Sequence, residues 1–247
     1  MTMRNVRLAS VILALSGLFL FLAFAAEKPT PTYTVLKTRT PIHIDGKLDD
    51  AVWAAAPVVG KFLNNVDGSP SPLETEARIL YDDRFLYFGY RCQDDNVWAT
   101  LKKRDEHLWV EEVFEVFLRA DTRYKSYIEL EVNPLNALID IYLLDVRNPL
   151  HYESWNSEKI AWAVQVEGTV DGKGGDRGWS CELALPMEDV VPAPNRPPKP
   201  GDRWMLNLYR VESKPQKAAL AWSPTYRNDF HTPDKFGVIV FSDKQVP

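Results

Sequence analysis

The sequence predicts an all-β chain folded as one antiparallel β-sandwich. Three observations carry this reading. Alternation of apolar and polar residues with a period of two dominates the chain, and turn-forming residues recur between the alternating stretches. The third is length: 222 of the 247 residues follow the first 25, enough for one large β domain, and nothing in the interior looks like a linker between two folded units.

The N-terminus is read separately. Arg4 and Arg7 precede an apolar run from Leu8 to Ala26, and Ala23-Phe24-Ala25 has the small-residue form of a cleavage site, so residues 1–25 read as a signal peptide. The run is also long enough for an uncleaved membrane anchor, which is the alternative. Residues 26–33 form an extended leader, 34–243 the domain and 244–247 a tail. Losing residues 1–25 removes two of 29 basic residues and no acid, which takes the net charge from -5 to -7. That balance weighs against nucleic acid or an anionic membrane as partner. The mature product is expected in the periplasm or outside the cell.

Within the domain the first element is a helical turn near Asp49. Gly46 permits the tight turn before it, Asp49 or Asp50 is placed to accept its first free N–H groups, and Trp53 drops into the core. Strands are predicted at 78–81, 85–92, 110–118, 127–133, 137–143, 161–166, 179–185, 204–211, 218–222 and 237–241. The Gly-rich run 171–176 and the Pro-rich run 192–200 break the pattern as loops, and a second helical turn is expected near Met187. Cys92 and Cys181 both fall on the apolar parity of their strands; in an oxidising compartment they either pair as a disulfide or stay as two buried thiols.

Parity assigns faces. Phe114, Val116 and Leu118, with Ile128, Leu130 and Val132, point into the core. Trp109, Glu111, Val113, Glu115 and Phe117 point the other way, as do Tyr127, Glu129, Glu131 and Asn133. If these strands are neighbours, one outer face carries an aromatic plate beside carboxylates and an amide, the residue types that meet the C–H face and hydroxyl rim of a sugar. Arg210 shares the core-facing side with Trp204, Leu206 and Leu208. A buried guanidinium needs a carboxylate, and the parity of Glu112 predicts an Arg210–Glu112 pair. Trp53, Trp179 and Trp204 are assigned to the core.

Two distant segments carry a resemblance: Ile44-Asp45-Gly46-Lys47-Leu48-Asp49-Asp50-Ala51-Val52-Trp53, and Ala221-Trp222-Ser223-Pro224 through His231-Thr232-Pro233-Asp234-Lys235-Phe236-Gly237. Together they resemble the opening and closing of carbohydrate-binding module family 9 and its DOMON-like relatives, over nearly the whole mature chain. The resemblance implies a DOMON-like sandwich that binds carbohydrate without catalysis, supporting polysaccharide recognition or breakdown. In that family two tryptophans sandwich a sugar while Glu, Arg, Asn and Gln side chains hold its hydroxyls. By the pattern around Glu115-Val116-Phe117-Leu118, Trp109 resembles the first tryptophan and Glu115 the acid. Asn133 resembles the amide, while the arginine position holds Glu131 and the glutamine position Tyr209. In the final loop Phe230 stands where the second tryptophan would be, with Arg227 and Asn228 beside it; Tyr226 and Trp155 are lesser candidates.

The residues give less support to other function classes. Glu111, Glu112, Glu115 and Asp121 crowd one region, yet nothing supplies the second wall of a glycosidase cleft, and there is no Ser-His-Asp order and no phosphate loop. Haem binding and electron transfer, known among DOMON-like domains, would need axial ligands from Met187, Met205 or the four histidines, without a Cys-x-x-Cys-His attachment. A structural or interaction sandwich is the third alternative. No cofactor is expected; structural calcium is compatible with the fold, but no oxygen-ligand spacing marks it.

Overall fold

The computed structural model describes residues 29–145, 148–152, 155–215 and 217–246, so the expected signal peptide, residues 1–25, lies outside the described residues. The strands are β1 (Thr32–Thr38), β2 (Leu63–Asn64), β3 (Thr75–Tyr81), β4 (Phe85–Gln93), β5 (Val113–Arg119), β6 (Tyr127–Val132) and β7 (Leu138–Asp145). They continue with β8 (Asn148–Tyr152), β9 (Ala161–Glu167), β10 (Gly178–Pro186), β11 (Arg203–Glu212), β12 (Ala218–Ala221) and β13 (Gly237–Val246). The one α-helix among the described residues, α1 (Ala51–Ala55), is too short to cross a membrane.

All thirteen strands belong to one sheet, ordered β8-β7-β6-β5-β11-β13-β1-β3-β4-β10-β9, with β12 on β11 and β2 on β12. The sheet is mixed, which corrects the purely antiparallel expectation: β1 runs parallel to both β13 and β3. Strand β1 was missed because its alternation breaks at Val35-Leu36, where its register against β13 shifts. It starts inside the expected leader, and its partner β13 runs through the expected tail to Val246, so both boundaries move outward.

One face of the sheet curls around the main core. Phe114 and Val116 of β5 and Leu130 of β6 share a cluster there with Ile79, Leu183 and Ile239 from the far strands. Trp53, Trp179 and Trp204 are each 1% exposed. The early motif folds around a carboxylate: Glu182 accepts the N–H groups of Asp45 at 2.8 Å and Gly46 at 2.9 Å and the indole N–H of Trp53 at 2.7 Å. Gly46 has φ +86°, and a Cβ there would lie 2.8 Å from the Val164 backbone, so glycine is required by both conformation and space. Neither acid caps α1 with its side chain; Asp50 accepts the His43 N–H at 3.0 Å instead.

Two further expectations change. Arg210 is fully buried on the core side, but its partner is not Glu112. Its Nε donates to Glu212 at 2.5 Å, its Nη2 lies 3.6 Å from Asp94, and the Glu74 and Gln93 carbonyls accept from the rest of the fork. Glu212 is two residues along the same strand and so on the same face, within easier reach. Glu112 falls before β5 begins and its carboxylate accepts the Trp98 N–H at 2.8 Å. Cys92 and Cys181 are both buried free thiols rather than a disulfide. They sit on the neighbouring strands β4 and β10 but out of register: Cys92 pairs with Trp179 and Cys181 with Tyr90.

Candidate functional site

The candidate site is built on the outer face of β5, β6 and β11. Register sets Glu115 between Glu131 of β6 and Tyr209 of β11, and Phe117 between Glu129 and Asn207. Contrary to the expectation of an open face, this surface is roofed. The 3-10 turn Leu108–Val110 and the loop 222–236 close over it, and Leu108, Phe117, Tyr127, Tyr209 and Phe236 form a second apolar cluster with Phe230 packed against it.

Trp109 belongs to the roof, not to the strand. It lies in the 3-10 turn, 37% exposed, with its ring stacked on His107 at 4.3 Å and 20°. Phe230 is half-buried and lies flat on Tyr209, centroids 4.1 Å apart at 4°. Tyr209 itself is fully buried and its hydroxyl donates to the Phe230 carbonyl at 2.9 Å. It backs the loop aromatic instead of presenting a hydroxyl to a ligand. Arg227 and Asn228 are exposed at the loop tip beside Tyr226, which adopts φ +58°. Trp155 packs on Tyr142 at 5.9 Å in the main core cluster, away from this face.

Asn133 is another correction. It is completely buried; its amide nitrogen donates to the Leu101 carbonyl at 2.8 Å, and its oxygen accepts the Leu135 and Ala137 N–H groups at 3.1 and 2.9 Å. Those bonds turn the β6–β7 hairpin and tie down the segment that carries Trp109. Glu111, expected on the outer face without a ligand role, does similar work by accepting the Thr100 and Leu101 N–H groups at 2.7 and 3.2 Å.

The final loop is pinned from both sides. Asn207 grips the Ser223 backbone at two points, accepting its N–H at 2.9 Å and donating to its carbonyl at 2.7 Å. Asn65 accepts the Thr225 N–H at 2.9 Å and donates to the Arg227 carbonyl at 2.9 Å. Trp222 lies against Gly237, where an added Cβ would come 2.4 Å from its ring. The loop is thus held in shape before any ligand arrives, and a preformed loop loses little entropy on binding.

Beneath this roof lie Glu115, Glu129 and Glu131, exposed by 1%, 4% and 0%. Burial, and then the charge of Glu129, drives the Glu115 carboxyl well above its ordinary range. Burial, followed by Glu115 and Glu129, does the same to Glu131. His231 borders the group, its Nδ1 2.6 Å from the Tyr127 hydroxyl and 3.9 Å from Glu129. Parity had placed Tyr127 and Glu129 on this face, but nothing in the sequence separated them from solvated strand residues. Glu115 does not reach the surface, so the exposed chemistry is the Trp109 ring, the Phe230 edge and the Arg227–Asn228 tip. An apolar plate beside hydrogen-bonding groups suits a polyhydroxylated ring.

Comparison with known proteins agrees with this architecture. Residues 44–244 match the family model described as carbohydrate family 9 binding domain-like. A candidate carbohydrate-binding protein from Bacteroides uniformis superposes with a TM-score of 0.71 at 18% identity, covering 87% of this chain and all of that one. A family 9 carbohydrate-binding module from Caldicellulosiruptor kristjanssonii in complex with cellotriose gives 0.59 at 15% identity over 87% of this chain and 98% of its own. The same organism's family 9 module with glucose gives 0.55 at 15% identity over 85% and 96%. Among curated proteins no match was found. With the model spanning most of the sequence, the chain belongs to the carbohydrate family 9 binding domain-like family.

Proposed function

We propose that this protein is an exported, non-catalytic domain that binds carbohydrate through Trp109 and the Phe230 loop. The observation that carries the reading is that an exposed indole on a short turn and a loop aromatic stacked on Tyr209 both belong to the cover of one sheet face. Sugar rings stack on such plates, while Arg227 and Asn228 hold hydroxyls. Glu115, Asn133 and Tyr209 act from beneath by fixing these parts. The solved modules of similar fold bind cellotriose and glucose, which makes β-linked glucans the first ligands to try. We also read the curled sheet as a DOMON-like sandwich and residues 1–25 as a cleaved signal, placing the mature chain in the periplasm or outside.

Each hydroxyl contact exchanges a bond to water for a bond to protein, a net gain of about 1 kcal/mol, so stacking carries much of the affinity. Binding is expected in the micromolar to millimolar range, roughly -8 to -4 kcal/mol. Calorimetry against a panel of plant and bacterial glycans tests it. Trp109→Ala should abolish measurable binding without lowering the melting temperature, and Val191→Ala, exposed in another loop, should leave binding intact. Absence of binding to every glycan by the parent, or equal losses in both variants, overturns the proposal.

A further inference from the structure

We propose that Glu115, Glu129 and Glu131 together hold a divalent, oxygen-seeking cation, calcium by preference, under the roof of the outer sheet face. The geometry comes first. Each residue offers a carboxylate oxygen, and the three oxygens lie within 4.8 Å of one another. Oxygen ligands of one calcium ion sit about 2.3–2.6 Å from it, so any two of them are at most about 5 Å apart. The three oxygens meet that limit without rearrangement of the strands.

The second observation is Glu131 itself. It is wholly buried, it points into the group, and neither of its oxygens has a hydrogen-bond partner. The Trp109 backbone N–H and the Glu129 carboxyl are close enough to act on its charge, but neither completes a hydrogen bond to it. Two orphaned carboxylate oxygens in one buried side chain are costly, and the cost falls only when something binds them. Among the groups that act on the charge of Glu115 and Glu131 there is no lysine or arginine.

The fold's other buried acid cluster makes the contrast. Asp94, Glu112 and Glu212 also bring three carboxylate oxygens within 4.8 Å, but that cluster encloses Arg210, whose guanidinium supplies the positive charge. For Glu115 and Glu131 no such side chain acts on the charge, and His231 lies 3.9 Å from Glu129, so a cation held among the three oxygens would supply what Arg210 supplies in the other cluster. An all-carboxylate set selects a hard cation. Its dry, irregular surroundings favour calcium over magnesium, which keeps several waters and demands an octahedron. An ion here would stitch β5 to β6 directly below the turn that carries Trp109. The inference stands whether or not the surface above binds sugar.

The test is thermal unfolding of the chelator-stripped protein with calcium chloride or magnesium chloride added, and terbium chloride as a luminescent probe excited through the neighbouring tyrosines. Calcium at about a hundred times its dissociation constant should raise the melting temperature by roughly 5–10 °C, with a smaller effect of magnesium. Terbium emission should saturate at one ion per chain. Glu131→Gln keeps the side chain's size and should weaken calcium and terbium binding about ten-fold or more through the lost ligand charge. Glu129→Gln provides the same reading if the first variant folds poorly. Glu112→Gln, in the cluster that holds Arg210, should leave the calcium shift as it is. No calcium-dependent shift and no terbium emission would mean that the carboxyls hold protons instead, and overturns the proposal. Unchanged calcium affinity in both Glu131→Gln and Glu129→Gln overturns it equally.

Discussion

The ring of Tyr209 lies parallel to that of Phe230, 4.1 Å away, and the Tyr209 hydroxyl donates to the Phe230 carbonyl at 2.9 Å. One buried side chain on β11 therefore fixes both the ring and the backbone of a residue in the final loop. Tyr209 occupies the position where the family resemblance implied a hydroxyl-binding glutamine. Its phenol is spent inside the protein, and the plate it supports is what faces outward. In this chain the polar group at that position serves the scaffold.

Separating the two attachments gives the first prediction. Tyr209→Phe removes only the hydrogen bond and should cost about 1 kcal/mol of stability while leaving the stack, and with it sugar binding, in place. Tyr209→Ala removes the ring beneath Phe230 and should cost roughly 3–5 kcal/mol, as truncation of a buried aromatic does. Urea unfolding paired with glycan calorimetry reads both effects. Loss of binding in Tyr209→Phe would return the phenol to a direct ligand role.

Asn207 offers a second. Its side chain makes two buried bonds to Ser223, and truncation leaves the N–H and carbonyl of that residue without partners. Asn207→Ala should cost on the order of 2–4 kcal/mol. It should also speed amide hydrogen exchange from Trp222 to Phe230 ahead of the strands, because local opening follows the loss of local ties. Uniform acceleration across the sheet would show that Asn207 acts on global stability rather than on the loop.

Much of this fold was legible from alternation, and the reason is physical. Strands with one face in a core, such as Phe85–Gln93 and Gly178–Pro186, must repeat apolar residues with period two, and Trp53, Trp179 and Trp204 followed from the same rule. Alternation also placed Tyr127, Glu129, Glu131 and Asn133 on one face. It could not tell that the face was covered, because the cover comes from a turn and a loop distant in sequence. Hence Asn133 read as a ligand when it is a hairpin tie, and Glu129 and Glu131 read as carboxylates of an open outer face when they are buried. Arg210 shows the same limit: its burial was written in the pattern of β11, but the choice of Glu212 over Glu112 depended on where β5 begins.

A pH dependence follows from the cluster around Arg210. Burial, and then Glu212, pushes the Glu112 carboxyl up to about 9 from the ordinary 4.5, while Arg210 pulls the other way. Burial lifts Glu212 to about 7 despite Arg210 beside it. Asp94 and the Cys92 thiol complete the set of titratable neighbours. A carboxyl with a raised folded pKa holds a proton in the native state that the unfolded chain releases. Its stabilising contribution is present in full below about pH 4.5 and is lost as pH rises, through about 7 for Glu212 and about 9 for Glu112. The melting temperature should accordingly fall from about pH 4.5 to about pH 9, most steeply up to about pH 7 where both groups contribute. Glu112→Gln should flatten that fall, and an identical slope in parent and variant would place the titration elsewhere.

Asn133 and Trp109 make the sharpest paired test of which residues touch ligand. Trp109 is partly exposed on its turn with its ring stacked on His107, so its truncation should remove binding at little cost in stability. Asn133 sits at the root of the same turn with its oxygen and amide committed to three backbone partners. Asn133→Ala should therefore lower stability by roughly 2–4 kcal/mol, since it orphans buried backbone groups. It should weaken sugar binding only as far as the Trp109 segment loosens. Binding enthalpy distinguishes the two. A residue that contacts the sugar takes its enthalpy with it even in a fully folded protein, whereas a residue that positions Trp109 leaves the enthalpy of the competent fraction intact and lowers only its population. Calorimetry of Asn133→Ala below its unfolding transition should show weaker affinity that recovers on cooling. Complete, temperature-independent loss of binding with unchanged stability would put Asn133 back among the ligand-contacting residues.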